Sequence, residues 1–195
     1  MVTDKGLRRI VLWVALLNLS YFGFEFGVAR VIGSVSLFAD STDFLEDASV
    51  NLLILVALGW TARNRARVGM ALAFILLVPG IATLWTAWDK FNVPVPPAPV
   101  ALSVAGLGAL VVNLLCAFML ARYRAHQGSL TRAAFLSARN DAMANVAIVA
   151  AGFVTVSTRS AWPDLIVGLG IALMNADAAR EVWMAAQAER LSVEA

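Results

Sequence analysis

Six long apolar stretches, separated by short segments that collect most of the arginines, leave this chain few ways to fold. They run roughly over residues 9–32, 35–60, 67–88, 100–123, 130–156 and 163–186. Each matches the roughly 20 residues an α-helix needs to cross a bilayer core. In lipid a spanning segment must satisfy its own backbone hydrogen bonds, which a helix does internally. Composition supports the same conclusion: 61% of the residues are hydrophobic and 14% charged, where a soluble domain holds roughly 45–50% and about 25%. The sequence therefore predicts an all-α polytopic membrane protein, one transmembrane domain over 1–195 built as a six-helix bundle.

The punctuation between the stretches agrees. Asn92-Val-Pro-Val-Pro-Pro-Ala-Pro99 cannot continue a helix and predicts an extended loop. Pro79-Gly80 predicts a kink within the third span, and Pro163 suits the first turn of the sixth. Lys5, Arg8 and Arg9 before an apolar run resemble a signal peptide. That run is too long for an h-region and lacks a small-residue cleavage site, so it is read as a retained first span. Lys5, Arg8, Arg9, Arg63, Arg65, Arg67, Arg122, Arg124, Arg132, Arg180 and Arg190 gather on one side, against Arg30, Lys90 and Arg159 on the other. Loop arginines and lysines favour the cytoplasm, so both termini are predicted to be cytoplasmic. The net charge of +2 and pI near 9.1 reflect these topology arginines and imply no nucleic-acid partner. Cys116 lies in an apolar run and is read as packing; His126, the sole histidine, falls in a connection between helices.

Against this background the second span is unusual. Asp40, Asp43, Glu46 and Asp47 place four carboxylates in eight residues. At helical spacing Ser36, Asp40, Asp43, Asp47 and Asn51 share one face. Acids in a membrane helix are costly; they usually face a bundle interior or water-filled cavity and mark an ion path. Counting inward at ~1.5 Å per residue puts Asp43 and Asp47 roughly 12 and 18 Å deep in a core ~30 Å thick. The fifth span enters from the opposite side and puts Asp141 roughly 16 Å deep, on a stripe with Ser137 and Asn145. Two antiparallel helices thus bring oxygen-bearing stripes to one depth, as a metal site requires; a structural network of shared-proton carboxylates is the alternative.

The motif Ser34-x-Ser-Leu-x-Ala-Asp40-x-x-Asp43-x-x-x-Asp47 resembles the second-helix motif of the cation diffusion facilitator family, proton-coupled exporters of divalent metals. Ala138-Arg-Asn-Asp141-Ala-x-x-Asn145 is similar to its fifth-helix motif, and Trp162-Pro-Asp164-Leu-Ile-Val-Gly168 to the start of its sixth helix. The resemblance implies metal ligation by Asp43, Asp47 and Asp141, with Ser137 where the family usually has His or Asp. That substitution leaves an all-oxygen ligand set, which suits harder ions. The family's cytoplasmic C-terminal domain and histidine-rich loop are not found in the sequence. The resemblance implies a homodimer, although the missing domain is the one that usually supports it.

The implied activity is efflux by metal/proton antiport in a bacterial inner membrane. Empty, the three carboxylates repel one another and hold protons, which a divalent cation displaces as the helices rock. The cation is substrate rather than cofactor, and the residue types do not choose among zinc, manganese, iron, cobalt and cadmium. Asp40, a turn outward of Asp43, lines the exit or is merely a charge at the helix start. Asn18 and Glu25 on the first span face the same cavity or serve as packing glue. Asn145 joins the stripe of Asp141, while Arg139 pairs with Glu46 or snorkels to the cytoplasm. Two other readings compete. The acidic motif also resembles that of magnesium-dependent intramembrane prenyltransferases, although Ala39 stands where their motif opens with Asn and six helices are too few. A degenerate, non-transporting membrane scaffold is the third.

Overall fold

The computed structural model describes residues 2–57, 80–121 and 129–176, without the side chains of 2–5, 54, 56–57 and 129–140. Its helices are α1 (Val2–Ile32), α2 (Val35–Ala57), α3 (80–92), α4 (Pro99–Ala121), α5 (Ser129–Thr158) and α6 (Trp162–Ala176). No strand occurs among the described residues, and the protein is an all-α membrane bundle. The Pro79 kink, His126, Arg63, Arg65, Arg67, Arg180 and Arg190 lie outside the described residues, as do the side chains of Ser137 and Arg139.

Three described helices, Gly6–Ile32, Pro99–Ala121 and Asp141–Thr158, are long and apolar enough to cross a membrane; Trp162–Ala176 is apolar but shorter. The polarity of α2 reflects its four carboxylates. Phe118, Met143, Phe153 and Leu173 face outward, whereas Asn18, Glu25, Asp40, Asn51, Asn113 and Asn145 are buried. Apolar outside with polar inside is the arrangement expected when lipid is the solvent.

Local chemistry sets the helix ends. Gly33 takes a left-handed backbone (φ 63°) after α1, and the Ser34 N–H closes on the Ala29 carbonyl at 3.0 Å, a Schellman stop. Ser34 then caps α2, its Oγ accepting the Leu37 N–H at 3.1 Å. The proline-rich segment runs without helix over 94–98, and Pro99 opens α4, where its missing N–H costs nothing. Arg159 adopts φ 51° where α5 ends, turning the chain into α6.

The bundle is two hairpins, α1–α2 and α4–α5, packed so that α1 also meets α4 and α2 meets α5. Ala29, Leu37, Phe38, Ala39, Leu102, Ala105, Ile148 and Ile171 form the main core, drawn from five helices. Small residues set the approach: a Cβ on Gly106 would come within 2.8 Å of the Ile148 side chain. Val35, Ala87 and Leu165 pin α3 and α6 to the start of α2.

Candidate metal centre

The face of α2 predicted to carry the site meets three successive polar layers. At its start, Asp164 of α6 reaches across to the first turn. Its Oδ1 accepts from Ser34 Oγ (2.7 Å), Ser36 Oγ (2.6 Å) and Ser36 N (3.1 Å); its Oδ2 accepts from Val35 N (2.9 Å) and Lys90 Nζ (2.8 Å). The approach is possible because Gly168 has no side chain: a Cβ there would sit 2.6 Å from Ser36 N. The four N–H groups that begin a helix have no intrahelical partners. Here all four are taken, by Ala29 O, Asp164 Oδ2, Asp164 Oδ1 and Ser34 Oγ. Lys90, counted in the sequence as a loop charge, is instead buried and bound to Asp164.

One and a half turns further along lies Asp40, fully buried. Asn145 Nδ2 donates to both its oxygens, at 2.7 and 2.6 Å, and Asn145 Oδ1 accepts from Asn113 Nδ2 at 2.9 Å. Facing Asp40 from α1 is the carboxyl of Glu25, also fully buried. Asn145, on the Asp141 stripe, thus engages Asp40.

The third layer holds the predicted ligands. The charges acting on Asp43 are, from the strongest, Asp141 of α5, then Asp40, Glu46 and Asp47. Asp43 and Asp141 keep partial access, whereas Asp47 is buried. Beyond Asp47, Asn51 donates Nδ2 to the Asp47 carbonyl at 2.7 Å and leaves Oδ1 without a partner among the described residues. Asn18 of α1 accepts a long contact from Cys116 Sγ at 3.7 Å and leaves Nδ2 without a partner among the described residues. Buried polar atoms are nearly always satisfied, so these two are exceptions.

Among the described residues, no three His, Cys, Asp or Glu side chains are gathered closely enough to hold a metal ion. Ser137 lies on α5 one turn before Asp141, its side chain outside the described set. Glu46, which also acts on Asp43, lines a cavity of about 300 Å³ among α2, α3 and α6, bordered by Thr42, Ile81, Leu169 and Asn175.

A family model, the cation efflux transmembrane domain, matches residues 11–186. The chain belongs to the cation efflux family. Cation efflux proteins transport divalent metal cations and are not enzymes, which leaves the diphosphate reading of the acidic stretch without support. A relative is the zinc transporter ZitB of Pectobacterium atrosepticum, 25% identical over 195 aligned residues that cover 93% of this chain and 59% of ZitB. The chain thus spans about three fifths of that relative's length.

Three participants escaped sequence reasoning. Asn113 was passed over inside an apolar run, although an amide in a membrane helix is itself a signal. Asp164 stood out only through its motif, and Lys90 only through its charge. Their pairing depends on α3 and α6 meeting over the start of α2, which no local pattern encodes.

Proposed function

We propose that this chain exports a divalent metal cation from the cytoplasm in exchange for protons, as one six-helix unit of a bacterial inner membrane. Asp43 and Asp47 of α2 and Asp141 of α5 bind the cation, and Ser137 adds an oxygen or holds a water. The observation that carries this reading is the opposition of Asp43 and Asp141. They come from antiparallel helices, and Asp141 is the strongest charge acting on Asp43. Three carboxylates in a water-poor interior need a compensating charge. Either protons or a divalent cation supplies it, and the two compete for the same oxygens. Rocking of the hairpins then exposes the loaded site to one side and the protonated site to the other.

Competition fixes the sign of the pH dependence. Ligands must lose protons to bind, so cation affinity rises with pH and falls on acidification. The all-oxygen set leans toward hard ions, whereas the relative is named a zinc transporter, so a titration across manganese, iron, cobalt, zinc and cadmium discriminates among cargoes. The decisive experiment is flux in reconstituted vesicles. Cation movement should follow an imposed pH gradient, and Asp47→Ala or Asp141→Ala should each abolish it. Undiminished flux in both variants overturns the assignment.

A further inference from the structure

The polar layer nearest the proposed ligands contains a group that cation binding does not use. Glu25 is fully buried, yet neither carboxyl oxygen receives a hydrogen from any donor among the described residues. Its polar neighbour is the carboxyl of Asp40, with which it is in hydrogen-bond contact. Two carboxylates have only acceptors to offer each other, so the contact requires a proton on one of them.

The surroundings say which one. Asn113 Nδ2 donates to Asn145 Oδ1, which turns the Asn145 amide nitrogen toward Asp40. That nitrogen donates to both Asp40 oxygens, so Asp40 is held as the acceptor. The reverse amide orientation would set an oxygen against the Asp40 carboxylate and a nitrogen against Asn113 Nδ2. Tyr21, the nearest hydroxyl on α1, spends its hydrogen on the Ala105 carbonyl at 2.6 Å. The charges acting on Glu25 are Asp40 and Asp43, both negative. The proton therefore resides on a Glu25 oxygen and is donated to Asp40.

We propose that Glu25 and Asp40 form a proton-binding site, separate from the cation ligands, that holds one proton between α1 and α2 and releases it when the cation binds. This rests on the antiport reading above. Asp43 lies three residues after Asp40, about one helical turn away. A divalent cation at Asp43 adds positive charge beside the pair and favours its fully ionised form. The Glu25 O–H bond then breaks, the electron pair stays on the carboxylate, and the proton leaves to water. Reprotonation of Glu25 restores the repulsion-free pair and favours cation release.

Two measurements on the purified full chain test this. Infrared spectroscopy at neutral pH, without metal, should show the C=O stretch of a protonated buried carboxyl. Glu25→Gln should remove one component of that absorption, a component that Asp141→Asn leaves in place. Absence of the absorption from the wild type, or a Glu25→Gln spectrum identical to wild type in this region, overturns the site whatever the fate of the metal reading. Calorimetric titration with Zn²⁺ in buffers of differing ionisation enthalpy then counts protons released per cation. Glu25→Gln should release about one fewer than wild type and still bind Zn²⁺; an unchanged count overturns the coupling. Zn²⁺ binding that survives both Asp47→Ala and Asp141→Ala would sink the ligand assignment, leaving the infrared result standing. Should Glu25→Gln fail to accumulate, Asp40→Asn serves instead: losing the anionic acceptor must shift the Glu25 band, and an unmoved band is fatal to the pair.

Discussion

The two halves of α2 are built from the same residue types and treat them in opposite ways. At the start of the helix, one carboxylate from Asp164 receives five donors, and all four orphan N–H groups find partners. Against its middle, Glu25 of α1 has no donor and Asn51 Oδ1 no partner among the described residues. Burial does not separate the two regions, since Asp164 and Glu25 are equally shielded. The balance of donors and acceptors does. A closed set of hydrogen bonds holds α2, α3 and α6 in one arrangement, whereas the open one leaves acceptors unfilled, as the proposed proton and cation binding requires. On the proposed reading, stability and function are apportioned along a single helix.

The largest expected effect breaks the comparison from the functional side. Asp141→Ala or Asp47→Ala should weaken cation binding by more than about 100-fold, because even outer-sphere partners of a metal are worth 10–100-fold. Each should lower thermal stability in the absence of metal far less than Asp164→Ala does, since each removes a charge that repels Asp43; isothermal titration and thermal unfolding in detergent check both halves. A drop in stability comparable to the loss of Asp164 would erase the distinction.

Asp164→Ala should show the opposite pattern. It strands Lys90 and two backbone N–H groups, and removing one partner of a buried ion pair costs about 3–5 kcal/mol. Whatever folded protein remains should still bind the cation. Lys90→Met should cost less, because four donors continue to hold the Asp164 carboxylate. Joining the two substitutions should cost less than their sum, with a coupling of about 0.5–3 kcal/mol. Strict additivity would show that the pair is not one unit.

Gly168→Ala tests the same region by shape. The new Cβ would sit 2.6 Å from Ser36 N and from the Val35 carbonyl carbon, both backbone atoms that cannot step aside. Overpacking of this kind costs about 1–3 kcal/mol. The unfolding midpoint should fall while the cation affinity holds; an affinity loss without a stability loss would move the latch into the functional half.

How much of this was legible beforehand follows from the same division. The membrane class came from composition, and the α2 acids announced themselves because a charge in an apolar helix has few cheap explanations. Helical phase placed Asp40, Asp43 and Asp47 on one face, but phase cannot reveal that Asp40 faces Glu25 and Asn145 while Asp43 faces Asp141. That sorting depends on the rotation of α1 and α5 about α2, to which the packing of Ala29, Ala39, Ala105 and Gly106 contributes and which helical phase within α2 does not carry. Lys90 shows the limit most plainly. Its charge fitted a loop, and only the close approach allowed by Gly168 converts it into a buried partner.

The smallest effect belongs to the residue that joins neither half directly. Asn113 touches no carboxylate; it holds the Asn145 amide, which in turn holds Asp40. Asn113→Leu removes one neutral hydrogen bond and should cost about 1 kcal/mol of stability. It also frees Asn145 to rotate, so Asp40 loses its fixed donors and competes with Glu25 for the proton. The infrared carboxyl band should therefore broaden or split, with cation affinity changed less than about threefold on the same 1 kcal/mol scale. An unchanged band with the same loss of stability would place Asn113 with the structural half of α2. A changed band with unchanged stability would place it wholly with the other.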